Sequence, residues 1–296
     1  MADKTDKLII TLHANGPPRA SNPNLAYSPE EIAEQAIECC ALGASIVHYH
    51  ATEPETGAQS NDPALYAETV RRIRAECDMI TFPTLGATFA PADGRVSHIV
   101  EMARDPATRP DCVPLDMLTT NLDSWNAERR SFTTQERVYS NTTGTLIDIA
   151  QKVGAVGVTP VPMLWNVAGV RLTRALIEMG VLAEPLFCEV SLYGEQFLGF
   201  GHPATVKGLE SIVDFIPPDC DWRWTVSVIG ANPFAVIAAA IERGGDVAIG
   251  LHDHPFAELG LPTNAELVRR VVDLAHAMGR EVATAAEARE ILGMPL

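Results

Sequence analysis

Two short histidine clusters carry the most specific chemistry in this chain of 296 residues. Val47-His48-Tyr49-His50 closes a strand-like apolar run. Alternate residues of a strand share a face, so His48 and His50 point the same way. Two imidazoles on rigid backbone make half of a site for zinc or another divalent transition metal. The second cluster, Gly250-Leu251-His252-Asp253-His254-Pro255, closes another such run. It offers His252 as a third ligand, Asp253 as a general base or an orienting carboxylate, and His254 as an outer partner. His13, ending the first apolar run, is a further outer candidate. Asp116 and Glu189 stand inside otherwise apolar segments, where a charge needs a partner or a function. With Asn15 and Thr84 they are the candidates for substrate contact. His98, His202 and His276 lie in helical or loop contexts and read as structural.

The elements that must position these groups alternate along the whole chain. Strand candidates are Leu8–Ala14, Ser45–His50, Met79–Leu85, Cys112–Leu118, Val156–Met163, Leu186–Leu192, Trp222–Gly230 and Val247–His252. Helical patterns separate them. Ser28-Pro29-Glu30-Glu31 is a capping box with proline at the first helical position. Ala64–Glu76 follows, then Ser97–Arg104, Thr145–Val153, Val170–Met179, Ala204–Phe215 and Pro233–Arg243. Near the C-terminus Thr263 with Glu266, and Thr284 with Glu287, cap two more helices. Eight strands each followed by a helix predict a (β/α)8 TIM barrel, with residues 1–296 forming one domain. A doubly wound open sheet is the alternative, but no GxGxxG follows the first strand. In a barrel the active site is expected at the C-terminal ends of the strands. There the long irregular stretches Asn15–Tyr27 and Thr119–Asn141 would cover it.

Composition narrows the function. Against 22 basic side chains stand 38 acidic ones, a formal charge of −16, which argues against a nucleic-acid or anionic-membrane partner. No apolar run is long enough to span a membrane. The N-terminal Met1-Ala2-Asp3-Lys4 leads into a strand-like run without the shape of a signal peptide. Cys39, Cys40, Cys77, Cys112, Cys188 and Cys220 include no CxxC pair and read as small core residues of a reducing compartment. A cytoplasmic location is expected.

The sequence resembles the β-keto acid cleavage enzymes over most of its length. The resemblance is carried by Asn24-Leu25-Ala26-Tyr27-Ser28-Pro29-Glu30-Glu31 and by Gly43-Ala44-Ser45-Ile46 leading into the first histidine pair. Trp224-Thr225-Val226-Ser227-Val228-Ile229-Gly230 and Gly250-Leu251-His252-Asp253 continue it. The resemblance implies a zinc-bearing (β/α)8 barrel, a homo-oligomer (dimer or tetramer). It also implies cleavage of a small oxo acid, a β-keto acid, with acetyl-CoA as co-substrate, giving acetoacetate and a CoA ester. By resemblance, His48 and His50 match histidine ligands and Asp253 the catalytic aspartate.

Several positions depart from the family pattern. His252 stands where the family has a glutamate ligand, and Ala248 replaces an arginine. Pro83, followed by Thr84, replaces a serine; Pro114, Pro160 and Pro162 fall on polar or acidic positions; Asp116 replaces an asparagine. Three neutral imidazoles leave the ion at +2, the arrangement that lowers the pKa of bound water to about 7. Two alternatives therefore stand beside β-keto acid cleavage. One is a metal-dependent hydrolase or lyase acting on a small carbonyl compound. The other is a non-catalytic metal or small-molecule binding derivative of the scaffold. Arg19, in the first loop, is a candidate replacement for the missing cation.

Overall fold

A computed structural model of the protein describes residues 6–16, 22–86 and 91–294. Arg19 lies outside the described residues. The strands are β1 (Ile10–His13), β2 (Ile46–Tyr49), β3 (Ile80–Pro83), β4 (Cys112–Asp116), β5 (Thr159–Leu164), β6 (Leu186–Tyr193), β7 (Trp222–Ile229) and β8 (Asp246–Ile249). All their ladders are parallel, and the order β3-β2-β1-β8-β7-β6-β5-β4 runs round a barrel. This is the (β/α)8 architecture, and the open doubly wound sheet is excluded by the pairing of β1 with both β2 and β8. The seam between β3 and β4 is bridged by the backbone and side chain of Asp111. Asp111 N donates to Thr81 O at 3.1 Å, while its carboxylate accepts from Thr81 N and Oγ1, each at 2.8 Å.

Helices α1 (Pro29–Leu42), α2 (Pro63–Glu76), α3 (Ala92–Met102), α4 (Thr143–Ala155), α5 (Val167–Glu178), α6 (Val206–Val213), α7 (Phe234–Glu242), α8 (Asn264–Ala277) and α9 (Ala285–Leu292) surround it. The expected capping boxes form at Ser28–Glu31, Thr263–Glu266 and Thr284–Glu287. Strand alternation divides the core in two. One side of each strand, including Leu12, Val47, Val113, Val190 and Val247, packs under the helices. The other side fills the lumen with Ile9, Ile46, Ile80, Phe82, Cys112, Val161 and Phe187, and α9 plugs the N-terminal end with Ala288 and Leu292. No described helix is long and apolar enough to cross a membrane.

Several expected boundaries move, some for an identifiable local reason. β5 starts at Thr159 because Gly157 adopts φ 75°, which breaks the extended run. α3 starts at Ala92, with Arg95 N bonded to Pro91 O, which places Arg95 on the helix. The stretch 119–141 is not irregular throughout. Thr120–Asn121 pairs with Val138–Tyr139, and Trp125–Asn126 with Ser131–Phe132, with the Trp125 and Phe132 rings 5.2 Å apart across the second pair.

Candidate active site

The C-terminal ends of β1 and β2 lie side by side, with His13 opposite His48 in register. Inward parity then brings His13 and Asn15 from β1 and its end, and His48 and His50 from β2, to the same rim. β8 ends earlier than its apolar pattern suggests. Gly250 passes so close to β1 that a Cβ there would meet His13 O at 1.9 Å, so only glycine fits. The chain then turns, with Asp253 N bonded to Gly250 O at 3.2 Å and Leu251 N to Asn264 Oδ1 at 2.9 Å. On a strand, His252 and Asp253 would face opposite ways. The turn brings both to one centre.

The result is two overlapping groups of possible ligand atoms, each lying within 4.8 Å of one another. One is His48, His50 and His252; the other is His13, His252 and Asp253. His48 Nδ1 donates to Phe82 O at 2.8 Å, and His252 Nδ1 donates to Asp253 Oδ1 at 2.8 Å. Each bond fixes the tautomer, so Nε2 carries the lone pair. The His50 and His252 rings stack 4.9 Å apart. Burial lowers the pKa of His48 well below the usual imidazole value, and the neighbouring His13, His50 and His252 lower it further. It is therefore neutral, as a ligand must be.

Asp253 Oδ1 also accepts from His13 Nδ1 at 2.8 Å, and His13 Nε2 lies 3.5 Å from Glu189 Oε2. Burial opposes charge on His13, but the carboxylates of Asp253 and Glu189 outweigh it and raise its pKa to about 10. Burial likewise works against an ionised Asp253, yet His13 and His252 hold its carboxyl well below the usual carboxylate range. A buried chain of alternating imidazoles and carboxylates thus runs from His252 to Glu189.

The remaining expected residues separate into groups. Asp116 ends β4 on the lumen side, and Thr84 follows β3. Asn15 directs its side chain to backbone: Oδ1 accepts from His50 N at 3.0 Å, and Nδ2 donates to His50 O and Ala26 O at 2.9 and 3.1 Å. It acts on the site by fixing His50. His254 lies apart from both groups, bonded to Glu258 at 3.1 and 3.2 Å and packed on Phe256. His98 donates to Thr84 O at 3.0 Å, and burial lowers its pKa to about 4.

Sequence reasoning missed Arg95 and Tyr139, which meet Asp116 at the rim. The only local signal for Arg95 was its place on a helix whose start was set too late. Gly16 was also missed. A Cβ on it would stand 2.3 Å from His252 Cδ2, against a ring held by Asp253. Gly16→Ala is expected to turn His252 and weaken metal affinity by about 10- to 100-fold, as loss of an orienting contact does. Competition with a chromophoric chelator measures this. Unchanged affinity would show that the ring moves freely.

Fold and site together define a (β/α)8 barrel with a histidine–carboxylate centre at the strand ends. The sequence model of the beta-keto acid cleavage enzyme family matches residues 7–294, and the chain belongs to that family. It is 30% identical to the 3-keto-5-aminohexanoate cleavage enzyme of Acetoanaerobium sticklandii, over 98% of this chain and 99% of that one. It is 28% identical to the 3-dehydrocarnitine:acetyl-CoA trimethylamine transferase of Rhizobium meliloti, over 92% and 91% respectively. Among solved structures, apo ObcA superposes with a TM-score of 0.73 at 16% identity, covering 93% of this chain and 66% of the longer ObcA chain. That likeness is one of fold.

Proposed function

We propose that the barrel mouth is the active site of a metal-dependent enzyme that cleaves a β-keto acid with acetyl-CoA, giving acetoacetate and a CoA ester. The observation that carries this reading is the convergence of His48, His50 and His252, with Asp253 bonded to the last of them. The donor set fits a divalent transition metal, zinc first. All three are imidazoles, and the hydrogen bonds of His48 and His252 leave their Nε2 atoms to coordinate. When bound, the metal supplies Lewis-acid polarisation of the substrate's keto oxygen.

The chain's own residues supply the rest. Asp253 spends Oδ1 on His13 and His252, so Oδ2 is the oxygen that takes a proton as general base. His13, pinned between Asp253 and Glu189, keeps that carboxylate ionised and oriented. Thr84, Asp116 and Glu189 line the substrate's place at the mouth, and Asn15 holds the backbone of His50. Ala248 leaves the strand-8 position without the family's cation. The acetyl-CoA-dependent relatives in the family support the reaction type.

The three neutral imidazoles also suit a hydrolase, and one experiment separates the two. The protein is incubated with β-keto acids with and without acetyl-CoA, before and after metal removal by a chelator. Acetoacetate and a new CoA ester, formed only with acetyl-CoA and lost on chelation, are the expected result. Turnover independent of acetyl-CoA would favour hydrolysis, and turnover unaffected by chelation would remove the metal from the mechanism.

A further inference from the structure

At the rim above β4, two strands from β2, α3 and the 119–141 excursion converge on the end of the strand. Arg95 is 1% exposed, its guanidinium carbon 4.8 Å over the Tyr139 ring. Nη1 donates to Asn141 Oδ1 at 2.7 Å, and Nη2 donates to the Tyr139 hydroxyl. Tyr139 in turn donates to Asp116 Oδ2 at 2.5 Å, with Arg95 Nη2 3.9 Å from the same oxygen. Asn141 ties the base of the excursion down, Nδ2 to Leu118 O at 3.1 Å and N to Thr119 Oγ1 at 2.9 Å.

This chain of bonds has one direction. A guanidinium only donates, so the Tyr139 oxygen must accept and its proton must go to Asp116. Asp116 is thereby an acceptor, with Oδ2 committed to Tyr139. The supports are buried, while the Asp116 side chain keeps 17% exposure.

We propose that Arg95 and Tyr139 are positioning residues that present Asp116 to the mouth as a fixed acceptor, selecting β-keto acids that carry a hydrogen-bond donor, an ammonium or a hydroxyl, along the chain. This rests on the reading that the mouth binds the keto acid. Burial pushes the Asp116 carboxyl up, Tyr139 and Arg95 oppose that, and Glu189 adds to it. Without the two supports Asp116 would be more readily protonated and free to rotate. The charge of Glu189, which is felt at Asp116, also works against a substrate whose far end is a second carboxylate.

The test uses the metal-loaded full chain and three β-keto acids of equal length, ending in an ammonium, a methyl or a carboxylate group. Calorimetry without acetyl-CoA measures binding, and turnover with acetyl-CoA is followed in parallel. The wild type is expected to prefer the ammonium acid over the methyl acid by about 10- to 100-fold, the range of one charged hydrogen bond. Tyr139→Phe and Asp116→Asn are expected to collapse that preference about tenfold or more, with metal content by elemental analysis unchanged. Tyr139→Phe removes a single oxygen and keeps the ring, so it carries the test even where Arg95→Met fails to fold. Equal binding of the ammonium and methyl acids by the wild type would overturn the proposal, as would a Tyr139→Phe variant that keeps the wild-type preference. Absence of any acetyl-CoA-dependent turnover would overturn the proposed reaction alone, since the binding preference is read without it.

Discussion

Replacing His252 with alanine is expected to strip the protein of its metal. The purified native chain should carry about one transition-metal ion per chain, and the variant close to none. Removing a ligand should cost more than the about 10- to 100-fold that an outer-shell change costs. The physical basis is the donor count. His48 and His50 alone leave a two-imidazole site, a poorer donor set than three. Asp253, with Oδ1 bonded to His13, offers only Oδ2 in place of the lost nitrogen. Elemental analysis of the two proteins, purified without chelator, decides the matter. A variant that retains its metal would move the third ligand elsewhere, with His13 and Asp253, which share a possible ligand group with His252, the next residues to examine. A metal-free native protein, reproducibly unable to take up zinc, would overturn the metal-dependent reading altogether.

Asp253→Asn is expected to lower kcat about 10²- to 10⁴-fold, the range for loss of a general base. The change nearly preserves shape but removes the charge that keeps His13 protonated and His252 oriented. Two roles are therefore mixed in one residue, and the measurements must separate them. Metal affinity reports the orienting role and should fall by no more than about 100-fold. Turnover at saturating metal reports the proton-transfer role. If kcat at full metal loading stays within a few-fold of the wild type, Asp253 is an orienting carboxylate and the base lies elsewhere. Equal losses in affinity and in metal-saturated kcat would sustain both roles.

Much of the architecture is legible in the residues. The eight apolar runs, the capping boxes at Ser28, Thr263 and Thr284, and the alternation of strand and helix report interactions within a dozen residues of one another. Such interactions are encoded by period and by cap chemistry. The pairing of His48 with His50 is legible for the same reason, since two residues apart on a strand is a local relation. His252 is readable as a candidate. Its presentation is not: the strand pattern runs through it, and only the contact of Gly250 with His13 O ends the strand early enough to turn His252 and Asp253 inward together.

The rim above β4 lies beyond local reading. Arg95 and Tyr139 are 44 positions apart in sequence, and Arg95 and Asn141 are 46 apart. Their types and spacing carry no motif. Closing the barrel brings α3, β4 and the 119–141 excursion to one side and makes Asp116 their common end. The same closure sets Asn15 on the backbone of His50 and turns His254 away to Glu258. By itself the sequence determined the barrel, through its periodicity, and the pairing of His48 with His50, as near neighbours on one strand; its family came from the motifs that resemble it. Only the tertiary structure decided which side chains face that centre, which brace it and which turn away. Those relations join residues from different strands, and only packing brings them within hydrogen-bond reach.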